Sequence, residues 1–248
     1  YIKYIFYVLF SIHIYVLTII LPIYIFNMAK SKLKKFQSLS QMKHVIQPNR
    51  DDLMYNKLNL KGQWRSKFQN TNPIVVELGC GKGEYTTELA RKNPDVNYIG
   101  VDIKGARIYT GAKLAQDQSY KNVMFLRIQI EYLNYAFSNG EIDEVWITFP
   151  DPQIKYNRRN KRLTSPSMLE MYRKLVTQKG VVHLKTDSLF LHGYTLGLLE
   201  TGKYKVHKTM HDLYNTYHND NMLNIKTHYE NIFLKNNNPI TYLSFSFI

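Results

Sequence analysis

Ile74-Val75-Val76-Glu77-Leu78-Gly79-Cys80-Gly81-Lys82-Gly83-Glu84 is the stretch on which the reading of this chain turns. Ile74, Val75 and Val76 are apolar and β-branched, the composition of a parallel strand buried on both faces. Glu84 to Lys92 reads as a helix with Leu89 and Ala90 inward. Between them lies a glycine loop, whose residues tolerate positive φ and allow a ligand close to the backbone. The free N–H groups at the start of the helix suit a carboxylate or phosphate.

The glycine spacing separates two ligand classes. A dinucleotide fingerprint is G-x-G-x-x-G. Gly79, Gly81 and Gly83 instead give G-x-G-x-G, with the acid Glu77 two residues ahead. A carboxylate there repels a pyrophosphate and attracts a sulfonium or ammonium cation. S-adenosylmethionine (SAM) carries both cations, and its carboxylate suits the loop N–H groups. The spacing therefore points to SAM, with a ligand-free strand-turn-helix as the plain alternative. Asn97 to Val101 forms a second strand ending in Asp102, an acid placed to hold ribose hydroxyls. NAD enzymes use the same device, and an N-cap for the helix near Gly105 is its simpler explanation.

Further strands are expected at Val123–Arg127, Glu144–Thr148 and Gly180–Lys185, with helices near 84–92, 105–118, 131–138, 166–176 and 188–199. This alternation indicates an α/β fold with a doubly wound parallel sheet and ligands at the C-terminal strand ends. Met222 to Leu234 reads as an amphipathic helix, and Thr241 to Ile248 alternates as an edge strand would. Trp64 and Phe68, spaced i, i+4, fit a helix packing on the domain. His183 falls within a strand and reads as core.

The chain has 248 residues and a formal charge of +14, which favours a polyanionic partner, with a solvated basic surface as the plain alternative. Cys80 is the one cysteine, so neither a disulfide framework nor a cysteine-based zinc site can be built. From Tyr4 to Phe26 there is no Asp, Glu, Lys or Arg, a run long enough to cross a bilayer. Met28-Ala29-Lys30 resembles an ordinary start, so residues 1–27 read as an apolar extension upstream of it, with a membrane anchor as the alternative. Residues 28–73 then form a basic arm, Lys30 to Lys35, and a helical segment, and residues 74–248 the α/β domain that carries the glycine loop.

Phe149-Pro150-Asp151-Pro152 follows the strand that ends at Thr148. Two prolines restrict the backbone and would hold Asp151 at the sheet mouth. In the next run, Lys155-Tyr156-Asn157-Arg158-Arg159-Asn160-Lys161-Arg162, five of eight residues are basic. Arg158, Arg159, Lys161 and Arg162 suit RNA phosphates, and Tyr156 suits stacking on a base. A solvated loop is the bland counterpart.

Together these motifs resemble the bacterial tRNA (guanine-N7)-methyltransferases. The resemblance rests on Glu77 to Gly83, Asp102, Phe149 to Pro152 with its basic run, Thr186-Asp187, and Thr227-His228-Tyr229-Glu230. It spans roughly Met28 to the end, and the F-P-D-P box is its most selective part. It implies a Rossmann-like class I methyltransferase with a mostly parallel, seven-stranded sheet and helices on both faces. It also implies SAM as cofactor, tRNA rather than DNA as partner, a cytoplasmic enzyme, and a monomer or homodimer. Glu77, Gly79, Gly81, Asp102, Gln129 and Asp151 would bind the cofactor, with Asp151 between it and the guanine as the catalytic residue. Lys155, Asp187, Thr227, His228, Tyr229 and Glu230 would meet the substrate. Gln129 replaces the usual Asp or Asn, and Gln153 the usual Trp. The competing classes are an NAD-dependent oxidoreductase, disfavoured by the glycine spacing, and a non-catalytic RNA-binding protein of the same fold.

Overall fold

The structure is a computed structural model that describes residues 33–216 and 221–248. The apolar run 1–27, Lys30 and Lys32 lie outside the described residues. Among the described residues no helix is long and apolar enough to cross a membrane.

Eight strands form one sheet: β1 (Val45–Ile46), β2 (Ile74–Leu78), β3 (Asn97–Val101), β4 (Val123–Leu126), β5 (Ile142–Thr148), β6 (Val176–Thr186), β7 (Tyr204–Met210) and β8 (Thr241–Phe247). Their order is β1-β4-β3-β2-β5-β6-β8-β7. The first six in that order run parallel, whereas β8 pairs antiparallel with both β6 and β7. The sheet is thus mostly parallel, as expected, but has eight strands rather than seven. The extra strand is β1, which lengthens the sheet beside β4.

The parity of β2 shows how two layers cover the sheet. Ile74, Val76 and Leu78 pack in one apolar cluster and Val75 in the other, because alternate side chains leave opposite faces. On the Val75 side lie a helical stretch at 33–40 (α1), α4 (Glu84–Lys92) and α5 (Gly105–Asp117), through Leu39, Leu89 and Ile108. On the other side lie α2 (Arg50–Met54), α3 (Trp64–Phe68), α6 (Leu133–Ala136), α7 (Pro166–Leu175) and α8 (Leu189–Thr201). Each fully buried aliphatic side chain contributes about 1.5–3 kcal/mol.

The segment before β2 is built into this core. Trp64 and Phe68 are buried as their spacing indicates, and Trp64 stacks on Phe137 with ring centroids 5.0 Å apart. The buried Glu141 carboxylate accepts hydrogen bonds from the N–H groups of Gly62, Trp64 and Ser138 at 2.8–3.1 Å. It supplies the acceptors that the start of α3 lacks locally.

Several expected elements differ. Thr241–Phe247 is not an edge strand: it lies between β6 and β7, and its first five residues are buried. The edge is β7, hidden in sequence by three polar residues, Lys205, His207 and Lys208. The strand expected from Gly180 begins at Val176. The helix expected at 131–138 is a 3-10 turn, Ile130–Tyr132, followed by α6. The helix expected from Met222 begins at His228, where Thr227 caps α10 (His228–Lys235). A short helix α9 (Leu213–Thr216) follows β7.

Candidate active site

The strand order reverses between β2 and β5, so a crevice opens beyond their C-terminal ends. The glycine loop fills its floor. Gly79, Gly81 and Gly83 all take positive φ, 75°, 56° and 72°. A Cβ on Gly83 would lie 2.6 Å from the Phe125 ring, so that position excludes any side chain. The expected ligand-facing N–H groups are partly used within the protein. Gly79 N–H donates to Val101 O at 2.8 Å, and Gly81 N–H to Asp102 Oδ2 at 2.9 Å. Gly79 and Gly81 therefore shape the wall rather than offering these two donors to an anion.

Asp102 is nearly buried, and its Oδ1 accepts from Lys104 N at 2.7 Å. Its carboxylate thus ties the glycine loop to the turn after β3. Each oxygen keeps a further lone pair for a ligand hydroxyl.

Glu77 ends β2 with its carboxyl buried. It accepts from the Thr148 hydroxyl at 2.6 Å and from the Thr86 hydroxyl on α4. Burial pushes its pKa up to about 7, with the two hydroxyls pulling the other way and Asp102 adding a smaller upward push. A buried acid so poised gains most from a cation placed against it.

Two adjoining cavities share Gly79. The inner one, about 480 Å³ with its open mouth, is lined by Glu77, Gly81, Thr148, Phe149, Thr227 and Tyr229, among others. The outer one, about 970 Å³, is lined by Asp102, Ile103, Ile128, Gln129, Lys161 and Leu163, among others. Without the open solvent at their mouths they hold about 90 and 530 Å³, so the outer one alone lies in the range of small-molecule sites and the inner one has room for a small polar group. The inner cavity offers a carboxylate for an ammonium group. The outer one offers Asp102 for a ribose, and Ile103, Ile128 and Leu163 for a flat apolar base. The residues present therefore fit SAM.

Above the cavities the F-P-D-P box turns sharply. Phe149 has φ +47°, its N–H donates to Lys185 O at 2.8 Å, and its ring stacks on Phe233 at 5.8 Å. Asp151 is exposed and its Oδ1 accepts from Gln153 N at 3.0 Å. The basic run forms a 3-10 helix, Tyr156–Lys161, with Arg159 4.0 Å above the Tyr156 ring. Lys155, Arg158 and Lys161 are exposed and Arg159 is half-buried.

Arg162 does not join them. It is 5% exposed, lies against the stacked rings of Phe190 and Tyr194 at 4.8 and 4.3 Å, and donates to Gln153 O at 3.1–3.2 Å. It anchors the run, because its guanidinium finds both a pair of aromatic rings and carbonyls inside the protein.

Glu230 also departs from expectation. It is fully buried, 2.8 Å from Lys185 Nζ, and closes a capping box with Thr227. Its carboxylate is spent inside the fold, so it offers nothing to a substrate at the surface. Thr227 is buried at the cavity wall, Tyr229 is exposed there, and His228 is exposed with its N–H donating to Glu84 Oε2 at 2.8 Å. Asp187, at the end of β6, is half-buried, and that desolvation raises its pKa. Asp151, Lys155, Asp187 and His228 line neither cavity: the first three stand on loops and His228 opens α10. Thr86, Thr148 and Lys185 went unnoticed in sequence. Only Thr148, placed directly before the F-P-D-P box, carried a local signal.

A family model described as a putative methyltransferase matches residues 71–243. A curated tRNA (guanine-N(7)-)-methyltransferase of Christiangramia forsetii is 52% identical over 88% of this chain and 98% of its own length. One of Bacteroides fragilis is 44% identical over 88% of this chain and 86% of its own. Among solved structures, the 16S rRNA methyltransferase KamB is similar with a TM-score of 0.56 at 15% identity, covering 77% of this chain and 91% of that one. At that identity the likeness speaks for the fold alone.

Proposed function

The chain belongs to the tRNA (guanine-N7)-methyltransferase family, and on that premise we propose how its residues divide the transfer of a methyl group from SAM to N7 of a tRNA guanine. The observation that carries the reading is the buried Glu77 carboxyl at the strand reversal, walled by Gly79, Thr148 and Tyr229. An oxidoreductase site would not place an acid where a pyrophosphate must sit.

SAM supplies an electrophilic methyl group on a sulfonium. Glu77 holds the cofactor's ammonium, Asp102 its ribose hydroxyls, and Ile103 and Ile128 flank the base, with Gln129 at the rim. Guanine N7 carries a free lone pair, so no residue needs to act as a base toward it. The site's task is alignment, and orientation alone contributes roughly 7–11 kcal/mol.

Methylation places positive charge on the purine. Asp151 and Asp187, at the ends of neighbouring strands, stabilise that charge electrostatically. They also accept from the guanine N1–H and N2 amine, donors that adenine lacks in this arrangement, so the pair selects guanine. Lys155, Arg158, Arg159 and Lys161 take tRNA phosphates, and Thr227, His228 and Tyr229 contact the target nucleotide, a guanine in the variable loop. In this reading residues 74–248 carry the chemistry, residues 28–73 support them, and the enzyme works in the cytoplasm as a monomer or homodimer.

The direct test incubates the purified protein with SAM and unmodified tRNA and measures N7-methylguanosine by nucleoside mass spectrometry. The product is expected in the variable loop, and its absence there would overturn the assignment. Sedimentation with and without tRNA reads the oligomeric state.

A further inference from the structure

We propose that the buried Lys185–Glu230 ion pair is the positioning element that fixes the spacing of the three walls around the methyl-transfer site. This rests on the functional reading of the cleft given above.

Lys185 is the second-last residue of β6 and has no exposed surface. Its ammonium reaches Glu230 Oε1 at 2.8 Å, Leu223 O at 2.8 Å and Ile225 O at 2.9 Å. Three donors of one group are thus aimed at a single segment, 223–230, which carries Thr227 and Tyr229 to the cavity wall. The Lys185 carbonyl accepts from Phe149 N–H and so holds the start of the F-P-D-P box. Two residues on, the same backbone presents Asp187. One residue therefore touches or carries all three walls: the Asp151 turn, the Asp187 strand end and the Thr227–Tyr229 cap.

Glu230 transmits the constraint. One oxygen accepts from Thr227 N–H, the Thr227 hydroxyl accepts from Glu230 N–H, and Tyr214 OH donates to the other oxygen. The segment is latched elsewhere to the glycine-loop helix, where Tyr85 OH donates to Met222 O at 2.8 Å and His228 N–H to Glu84. A buried ion pair gains little net stability over well-packed apolar residues. What it supplies here is direction: a carboxylate and two carbonyls must face one point, and a hydrophobic contact would tolerate sliding.

The test compares full-length wild type, E230Q and K185M/E230L. The double variant removes both charges at similar volume but takes the Lys185 or Glu230 partner from Leu223 O, Ile225 O, Thr227 N–H and Tyr214 OH, so its melting temperature falls and it is assayed below that temperature. Its single-turnover methylation rate at saturating SAM and tRNA is expected to fall about 10²-fold, as for a misplacement near 1 Å, with a much smaller change in tRNA affinity. A wild-type rate in the folded double variant would make the pair merely structural and overturn the proposal. Should the double variant fail to fold, E230Q decides. Measured below its melting temperature, a wild-type rate overturns the proposal, and a reduced rate with retained tRNA binding supports it. Amide hydrogen exchange over 223–229 gives a readout free of activity. Faster exchange in the variants, with β2 and β3 unchanged, supports the proposal, and unchanged exchange overturns it. An inactive wild type strikes the functional reading instead, and the exchange comparison still decides the inference.

Discussion

The Glu77 carboxyl accepts a 2.6 Å hydrogen bond from the Thr148 hydroxyl, across the seam of β2 and β5 where the strand order reverses. The seam that opens the crevice is thus bridged by the acid that faces into it. Strand-end chemistry and strand pairing share one group.

That sharing has a pH signature. Burial raises Glu77 from 4.5 to about 7, so the folded chain keeps a proton that the unfolded chain releases. The stability this confers is complete below pH 4.5 and is lost as pH rises through 7, an amount of about 3 kcal/mol. Thermal melts from pH 5 to 8 should show Glu77→Gln losing this decline and matching or exceeding wild type at pH 8. Calorimetric SAM affinity should move oppositely. It rises with pH in wild type, with proton release on binding, and is largely lost in Glu77→Gln. A flat wild-type affinity from pH 5 to 8 would remove Glu77 from the ammonium site.

Asp151→Asn keeps shape and removes charge on an exposed turn. Single-turnover rates at saturating SAM and tRNA should drop by about 10²–10³, while tRNA affinity stays near wild type. Weakened tRNA binding at full chemical rate would be the opposite result and would take Asp151 out of the chemistry.

The basic run should split into two behaviours. Replacing Arg158, Arg159 and Lys161 with Ala should lower the salt slope of tRNA binding by roughly 0.7–0.9 per lost contact. Arg162→Ala should leave that slope alone and instead cost about 1–3 kcal/mol of stability, since Gln153 O loses a buried donor and Phe190 and Tyr194 lose their partner. Urea melts and filter binding at several salt concentrations separate the two.

Gly111 on α5 sets how closely that helix approaches the glycine loop. An added methyl would lie 2.8 Å from Lys82 O and 2.9 Å from Gly83 Cα, both backbone atoms. Gly111→Ala gains up to about 1 kcal/mol in helix preference. The overpacking costs roughly 1–3 kcal/mol and should dominate. A lower melting temperature and SAM binding weakened about tenfold are expected. A stabilised variant with normal SAM affinity would show that the loop has room to move.

Much of the site was legible because its signals are local. β2, β3 and α4 fall on the residues that periodicity and glycine chemistry indicate. The burial of Arg162 and Glu230 was not legible, for one physical reason. A charged side chain in a polar run looks solvated unless its partner is known, and those partners, Phe190 and Lys185, lie on other elements. The edge strand was misplaced because the alternation of Thr241 to Ile248 says that a strand exists, not which strands flank it. Gly79 and Gly81 line the cleft, but their N–H partners, Val101 and Asp102, depend on the register of β2 beside β3.

The insertion of β8 between β6 and β7 orders events on the ribosome. β7 emerges before the strand that will pair it, and β6 leaves the exit tunnel with one hydrogen-bonding edge unfilled. Parallel pairing of β2, β3, β4, β5 and β6 can proceed in the meantime, but the Lys185 and Asp187 end of β6 waits for Thr241 to Thr186 pairing to form. Until β8 is translated, the nascent chain holds a nearly complete strand-end crevice beside an open, adhesive sheet edge. Maturation of the Asp187 side of the cleft is thereby tied to the arrival of β8, and a chaperone has its window of need just before it.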